Sequence, residues 1–388
     1  METLTAATTS ICNVDILRKV TLLEVKQIFE KWLYLEDKNL VDVELATIVA
    51  NRLETEPAWL LITGPSGTAK TETLRALDTP ETYQISTLTG QTLVSGFRKK
   101  GKDPSLLPHL DGKTLIVKDF TSVLSLHREE RSKIFADLRD SYDGTFAKGF
   151  GNEAEVARYK SKFGLLGGVT PEIDRFHSVT NTLGERFLKY RPILVSRKNA
   201  IERARSNRGK EKTMREELKS AAAGFLNNFD EKRDITISDD MQQKIENLIE
   251  WMAILRTAVS RDGYTDEISY LPEIEVGTRL IKQMMSLGVS LAMIRDKTEL
   301  TEDEFMILAK IARDTLPSKR MRLFEELFMK NDYQTTQAYS NATNLPTETC
   351  KLILDDFRLL GVADRQGSHE FTWKIKDNVY ALTLKAGL

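Results

Sequence analysis

Residues 58–77 read AWLLITGPSGTAKTETLRAL. The run AWLLIT is apolar without interruption, is short, and stops at a glycine, which is the pattern of a buried strand. Gly64, Pro65, Ser66, Gly67, Thr68, Ala69, Lys70 and Thr71 then make a turn of small residues that ends in Lys-Thr, and residues 69–77 open a helix. Strand, glycine-rich loop and helix in this order allow successive backbone N–H groups to face phosphate oxygens. Lys70 would reach the β- and γ-phosphates and the Thr71 hydroxyl would bind Mg²⁺. The glycine usual before the lysine is replaced by Ala69, which is small enough for the loop to survive.

Further strands are predicted at LDGKTLIVKDF (110–120), KFGLLGGVT (162–170) and RPILVS (191–196), with a helix over 127–144 that Gly144 ends. Strands alternating with helices imply an α/β fold with a parallel sheet, because parallel strands need crossovers. Residues 15–56 read as helical, with an amphipathic stripe through Ile16, Leu17, Val20, Leu23, Val25, Ile28 and Phe29 that VDVELATIVANRL repeats. From about 197 the texture is charged and helical, with helices at 240–258, 275–296 and 302–315. Helices at 320–330, 335–343 and 346–360 precede two short strands in 360–377, the pattern of a winged helix. The expected division is 1–56 N-terminal helical, 57–196 α/β core, 197–318 helical lid and 319–388 winged-helix-like.

At 388 residues the chain is long enough for two or three domains of ~150 residues. Lys and Arg total 56 against 57 Asp and Glu, so any nucleic-acid contact must come from local patches. Two cysteines, Cys12 and Cys350, exclude a disulfide framework and a cysteine-rich zinc site. The four histidines, His109, His127, His177 and His369, have no helix-face metal spacing. No stretch reaches the ~18–20 apolar residues of a membrane span. METLTAATTSICNV has no basic start and no sustained apolar core, so no secretory signal is expected and the expected compartment is the cytoplasm.

The chemistry of phosphate hydrolysis also needs acid at a strand end. Thr114-Leu115-Ile116-Val117-Lys118-Asp119-Phe120 offers a single acid where two are common. Either Asp119 is the metal-side acid, with Phe120 where the catalytic glutamate would sit, or Asp119 activates water and Lys118 replaces the metal acid. Glu129 and Glu130 on the following helix are alternative bases.

With these motifs in order, residues 40–315 resemble the AAA+ ATPases, and within them the helix-2-insert group of minichromosome-maintenance helicases and bacterial enhancer-binding activators. SGFRKKGKDPSLLPHLDGKTLIVKDF (95–120) looks like that group's insert leading into its second core strand. The resemblance places Lys118-Asp119 where the family usually has Asp-Glu, which favours Asp119 as the water-activating acid. It makes Thr170, in LLGGVTP (165–171), the first sensor residue. Arg186, in LGERFL (183–188), becomes the arginine finger reaching a neighbour's γ-phosphate, with Lys189 and Arg191 in reserve. Arg279, at the head of a helicase-like lid helix, becomes the second sensor. The implied cofactors are ATP and Mg²⁺, held by Thr71 and Asp119, and the implied assembly is a homo-oligomeric ring with no membrane partner.

Two basic-aromatic segments could face DNA in the pore of such a ring. FRKKGK (97–102) supplies Phe97, Arg98, Lys99, Lys100 and Lys102. The stretch 146–164 could form a hairpin presenting Lys148, Phe150, Arg158 and Lys160. Residues 197–219 interleave acid with base and read as a solvated helix. In the C-terminal segment the recognition helix LPTETCKLILDDFRLLG sets Lys351 and Arg358 against Glu348, Asp355 and Asp356, so a protein partner fits as well as DNA. Arg365, Lys374 and Lys376 would be the wing's phosphate contacts. Two functions follow from the resemblance: a DNA-acting helicase or replication-initiation motor, and a regulatory or remodelling switch acting on a protein partner. A scaffold that holds ATP on DNA with weak hydrolysis is a third. The GAFTGA loop of the enhancer-binding activators is absent from the insert.

Overall fold

The computed structural model describes residues 20–95, 104–149, 157–177, 186–229, 233–262 and 265–388. Five strands, β1 (Trp59–Thr63), β2 (Thr82–Ile85), β3 (Thr114–Val117), β6 (Gly164–Val169) and β7 (Phe187–Tyr190), form one parallel sheet in the order β2-β3-β6-β1-β7. An antiparallel hairpin, β4 (Thr145–Lys148) and β5 (Ala157–Lys160), stands apart from it just before β6.

β1 is buried along its whole length, as a parallel strand covered on both faces must be. Trp59 and Leu61 enter one apolar cluster and Leu60 and Ile62 the other. The Trp59 ring sits 5.1–5.5 Å from those of Tyr142, Phe163 and Phe187, and its indole N–H donates to the Phe163 carbonyl at 2.9 Å. The connection leaving β1 runs to β2 at one edge, whereas those leaving β2, β3 and β6 run the other way. The winding direction therefore reverses at β1, and open parallel sheets bind ligands at the carboxyl ends of strands beside such a reversal.

Helices α1 (Leu22–Trp32) and α2 (Asn39–Ala50) precede β1, and α3 (Lys70–Ala76) follows it. The short α4 (Thr121–Leu124) and α5 (Arg128–Tyr142) lie between β3 and β4. α1 begins at a capping box in which Thr21 and Glu24 bond each other's backbone N–H. α2 departs from the amphipathic reading: every residue from Leu40 to Ala50 is buried. It is sandwiched between the sheet and a later helix, so it has no solvent face to mark with polar residues.

Among the described residues, five helices follow the sheet before the C-terminal part: α6 (Arg197–Ser206), α7 (Glu211–Asn227), α8 (Asp239–Arg256), α9 (Thr278–Ile294) and α10 (Glu302–Thr315). The C-terminal part has α11 (Ser318–Lys330), α12 (Thr336–Thr343) and α13 (Thr347–Leu359), then a small sheet of β8 (Gln334–Thr335), β9 (Ala363–Gln366) and β10 (Thr372–Ile375) ordered β8-β10-β9. α14 (Asp377–Lys385) turns back onto α8. One apolar cluster runs without a break from Val25 through Leu248 and Leu308 to Trp373 and Val379. No helix among the described residues is long and apolar enough to cross a membrane.

The strand expected at RPILVS is displaced. The strand is Phe187–Tyr190, and 191–196 is irregular, with Ile193 and Val195 56% and 80% exposed. Pro192 has no N–H for a ladder, and Arg191 turns away to bond Asp174 and the Asp314 backbone and carboxylate.

α2 also carries Glu44, with no exposed surface, whose Oε1 lies 2.7 Å from the Thr73 hydroxyl on α3. Burial pushes its carboxyl up to about 8, so it is protonated at neutral pH in the folded chain and ionised in the unfolded one. The folded state then holds a proton the unfolded state lacks, and stability falls as pH rises until about 8. Glu44→Gln is expected to remove that part of the slope, about 1.4 kcal/mol per pH unit between about 5 and 8. Urea denaturation of both proteins across that range checks this, and parallel curves would contradict it.

Candidate functional site

The carboxyl ends of β1, β3 and β6 open into a cleft of about 810 Å³, a volume typical of small-ligand sites. Its floor is Ser66–Thr71, Lys118, Asp119 and Gly168–Thr170. Its roof comes from distant sequence: Trp32–Tyr34 after α1, Leu194, and Ala200, Arg203, Ala204, Asn207, Glu211, Met214 and Arg215 from α6 and α7.

The loop after β1 is fixed at both ends. The Gly64 N–H donates to the Val169 carbonyl at 3.0 Å, and the Thr68 hydroxyl donates to the Pro65 carbonyl at 2.9 Å. Gly67 and Ala69 both adopt left-handed backbone, at φ 84° and 59°. For Ala69 that conformation costs about 1–2 kcal/mol that glycine would not incur. Lys70 curls back under the loop. Its Nζ donates to the Gly64 carbonyl at 2.7 Å, the Pro65 carbonyl at 2.6 Å and the Thr68 hydroxyl at 2.9 Å. Burial pushes this ammonium down to about 8, with Asp119 pulling the other way. The side chain is therefore held beneath the very loop whose N–H groups would receive an anion.

Asp119 is exposed at the end of β3, and its Oδ1 accepts from the Thr121 N–H at 3.0 Å. The Thr170 N–H donates to the Thr121 hydroxyl at 3.0 Å, and the Phe120 N–H to the Gly168 carbonyl at 2.7 Å. These bonds tie the β3 and β6 ends into one unit. Gly168 is required there, since a Cβ would stand 2.9 Å from the Lys118 carbonyl. On the floor of the cleft the metal donors are the Asp119 carboxylate and the Thr71 hydroxyl, with Lys118 lining the same space; Glu72 is held by Arg75 and Arg215, and Glu211 belongs to the roof. No group of three or more His, Cys, Asp or Glu that could hold a metal ion occurs among the described residues.

The roof is anchored from two sides. Arg215 makes a two-pronged contact with Glu72 at 3.0 Å, and Lys219 pairs with Asp78 at 2.5 Å, joining α7 to α3. The Trp32 indole N–H donates to Glu217 at 2.8 Å, and the Asn207 amide to the Trp32 carbonyl at 2.6 Å. Leu33, Leu194, Ala204 and Met214 give this end of the cleft an apolar lining. None of the roof was legible as a site in the sequence, because its residues are ordinary helix residues that share a wall only once folded.

Arg186 and Arg279 do not line this cleft. Arg186 precedes β7, whose Phe187 pairs with Trp59 at the start of β1, so it lies at the opposite end of the sheet from the loop. Its guanidinium stands 5.5 Å from the Tyr142 ring. Burial and the nearby Arg279 charge both favour loss of its proton. Arg279 contacts Glu275 at 3.5 Å. The Gln283 amide, one turn after Arg279, donates to the Arg186 carbonyl at 3.0 Å and so holds the two segments together. Lys189 is buried within β7, and Arg191 pairs with Asp174 at 2.7 Å. Glu129 and Glu130 occupy the exposed first turn of α5, outside the cleft.

Of the basic candidates, Phe97, Arg98, Lys99, Lys100, Lys102 and Phe150 lie outside the described residues. The expected hairpin is present as β4–β5, with Arg158 and Lys160 exposed, but Lys148 is taken by Asp137 at 2.6 Å. On α13 two of the acids are paired, Asp356 with Arg261 at 2.8 Å and Asp355 with Arg358 at 3.0 Å, while Glu348 is exposed. Arg365 packs over the Phe371 ring at 4.2 Å, and Lys374 and Lys376 pair with Asp377 and Asp364.

No protein-family model matches the chain, and no curated protein sequence matches it.

The loop yields one direct stability prediction. Ala69→Gly removes the left-handed penalty and is expected to stabilise the protein by about 1 kcal/mol, read as a rise in the urea midpoint. A loss of stability would show that the Ala69 methyl is held by packing.

Proposed function

We propose that the chain is an ATP-binding and ATP-hydrolysing P-loop protein of the AAA+ type, assembling head to tail into a ring that acts on DNA as a helicase or replication-initiation motor. The observation that carries this reading is the division of its polar and charged groups. Lys70, Thr71, Asp119 and Thr170 converge on one cleft, while Arg186 and Arg279 stand together at the far end of the sheet. In a head-to-tail contact those arginines would face a neighbour's cleft and stabilise charge on the transferred phosphoryl.

Within one subunit the loop's backbone N–H groups and Lys70 would bind the triphosphate, and Asp119 would orient the attacking water, with Thr170 beside it. The apolar roof would hold the base. Mg²⁺, when bound through Thr71 and Asp119, would supply charge neutralisation of the phosphates. Exposed apolar side chains flank both ends of the proposed contact: Val195 and Ile201, next in sequence to the cleft residues Leu194 and Ala200, are 80% and 69% exposed, and Val276, three residues before Arg279, is 86% exposed. Such groups at both ends suit a heterologous interface.

The C-terminal α11–α13 and its small sheet are read as a winged-helix-like unit. Its basic side chains are largely paired within the chain, so the DNA contacts of the proposed motor rest more on β4–β5 than on α13. One observation favours the second reading, a switch acting on a protein partner: Lys118 stands in the cleft where a second acid would speed hydrolysis.

ATP turnover with and without single- and double-stranded DNA, beside Lys70→Ala, separates the readings. Turnover stimulated by DNA and abolished in the variant is expected. ATP bound without turnover would move the assignment to the switch. For the shared site, Lys70→Ala and Arg186→Ala are each expected to be inactive, whereas their equimolar mixture recovers about a quarter of wild-type turnover. That is the fraction of randomly formed interfaces joining an intact cleft to an intact arginine. No recovery on mixing would contradict the trans arrangement.

A further inference from the structure

Lys118 is the feature of the cleft that hydrolysis does not explain. Its backbone is locked: the N–H donates to the Ile85 carbonyl at 3.1 Å, and the carbonyl lies against Gly168. Side chains alternate along β3, so Lys118 shares its face with Ile116, which packs in the cluster containing α3 and Leu74. That is the side from which Lys70 enters the cleft, and Lys118 lines the same cleft with Lys70, Thr71 and Asp119. It is half-buried, and its ammonium makes no ion pair or hydrogen bond among the described residues. Its carbon stem is therefore held by the fold while the ammonium stays open to the solvent of the cleft. It lines the same cleft as the loop residues Ser66–Thr71, within which a phosphate bound by that loop would lie.

The charge of the cleft agrees. Five basic side chains, Lys70, Arg75, Lys118, Arg203 and Arg215, face three acids, Glu72, Asp119 and Glu211. Glu72 is already engaged by Arg75 and Arg215. An ammonium in the same cleft as Thr71 and Asp119 raises the electrostatic cost of seating a divalent cation there, and would supply donors to phosphate oxygens in its place.

We propose that Lys118 is a second phosphate-binding lysine, and that with it the cleft holds a nucleoside triphosphate as the metal-free anion. The inference rests on reading the cleft as a nucleoside triphosphate site. It adds that binding does not depend on Mg²⁺, and it leaves to Mg²⁺ only a part in turnover.

The test is equilibrium titration of the full chain with a fluorescent N-methylanthraniloyl-ATP, in Mg²⁺ and in EDTA. Wild type, Lys118→Met, Lys118→Asp and Lys70→Ala are compared, each checked by its melting curve. Wild-type affinity is expected to agree within about 3-fold between the two conditions. Lys118→Met should bind about 10-fold or more weakly in EDTA, the usual cost of a lost charge-assisted hydrogen bond, and less weakly in Mg²⁺. Lys118→Asp should bind only when Mg²⁺ is present. Loss of wild-type binding by more than about 30-fold in EDTA, or an unaltered Lys118→Met, would overturn the proposal while leaving the nucleotide site standing. Absence of wild-type binding in both conditions would overturn the nucleotide reading and this inference together.

Discussion

Asp42, on α2, is 1% exposed, and a carboxylate so placed must be paired. Arg295, at the end of α9, reaches it at 2.6 Å, and Lys26 of α1 at 2.8 Å. Arg295 also pairs at 2.9 Å with Glu304 of α10, itself without exposed surface, and Lys297 takes the other Glu304 oxygen at 2.9 Å. The network fixes α1, α2, α9 and α10 in one register. Because α2 lies directly on the sheet, the helical half is set at a single position over the strand ends. Removing one partner of such a buried set costs on the order of 3–5 kcal/mol, so the arrangement is specified and not merely favoured.

The cleft is a consequence of that registration. Its floor belongs to the sheet and its roof to segments that the α2 network and the α1–α7 contacts hold in place. The remaining links across the mouth, Arg215 to Glu72 and Lys219 to Asp78, are partly exposed ion pairs, each worth about 0–1 kcal/mol. A rigid base with a weakly latched edge lets a ligand enter without disturbing the core. Lys70 rests its ammonium on loop carbonyls, and on the proposed reading it would exchange them for phosphate oxygens. On the proposed reading, each subunit would complete only its own floor and roof, and the arginines at the opposite end would wait for a neighbour.

What the sequence disclosed and what it hid follow from the range of the interactions. β1, the loop and α3 were legible because an apolar run, two glycines and Lys-Thr are local signals. The helices from α8 to α13 were legible from periodicity. α2 was misread as amphipathic since burial between sheet and α9 is a tertiary fact. β7 was placed four residues late: FLKY contains a lysine that folding buries, while the apolar ILV after Pro192 stays exposed. The edge strand β2 carries only four residues, two of them polar, and gave no pattern. α14 gave no separate signal after β10. That Lys70, Thr71, Asp119 and Thr170 share one cleft was legible from their order along the chain. Trp32–Tyr34, Asn207 and Arg215 were not, because contacts across more than a hundred residues leave no spacing to read.

On the proposed reading, the cleft at the ends of β1, β3 and β6 receives a nucleoside triphosphate. Hydrogen–deuterium exchange of the full chain, with and without saturating ATP, tests it most directly. Slowed exchange is expected in 64–71, at 118–121 and 168–170, and in the first turns of α7, with β9 and β10 unchanged. Unaltered exchange across the loop, or protection confined to the C-terminal unit, would contradict the account.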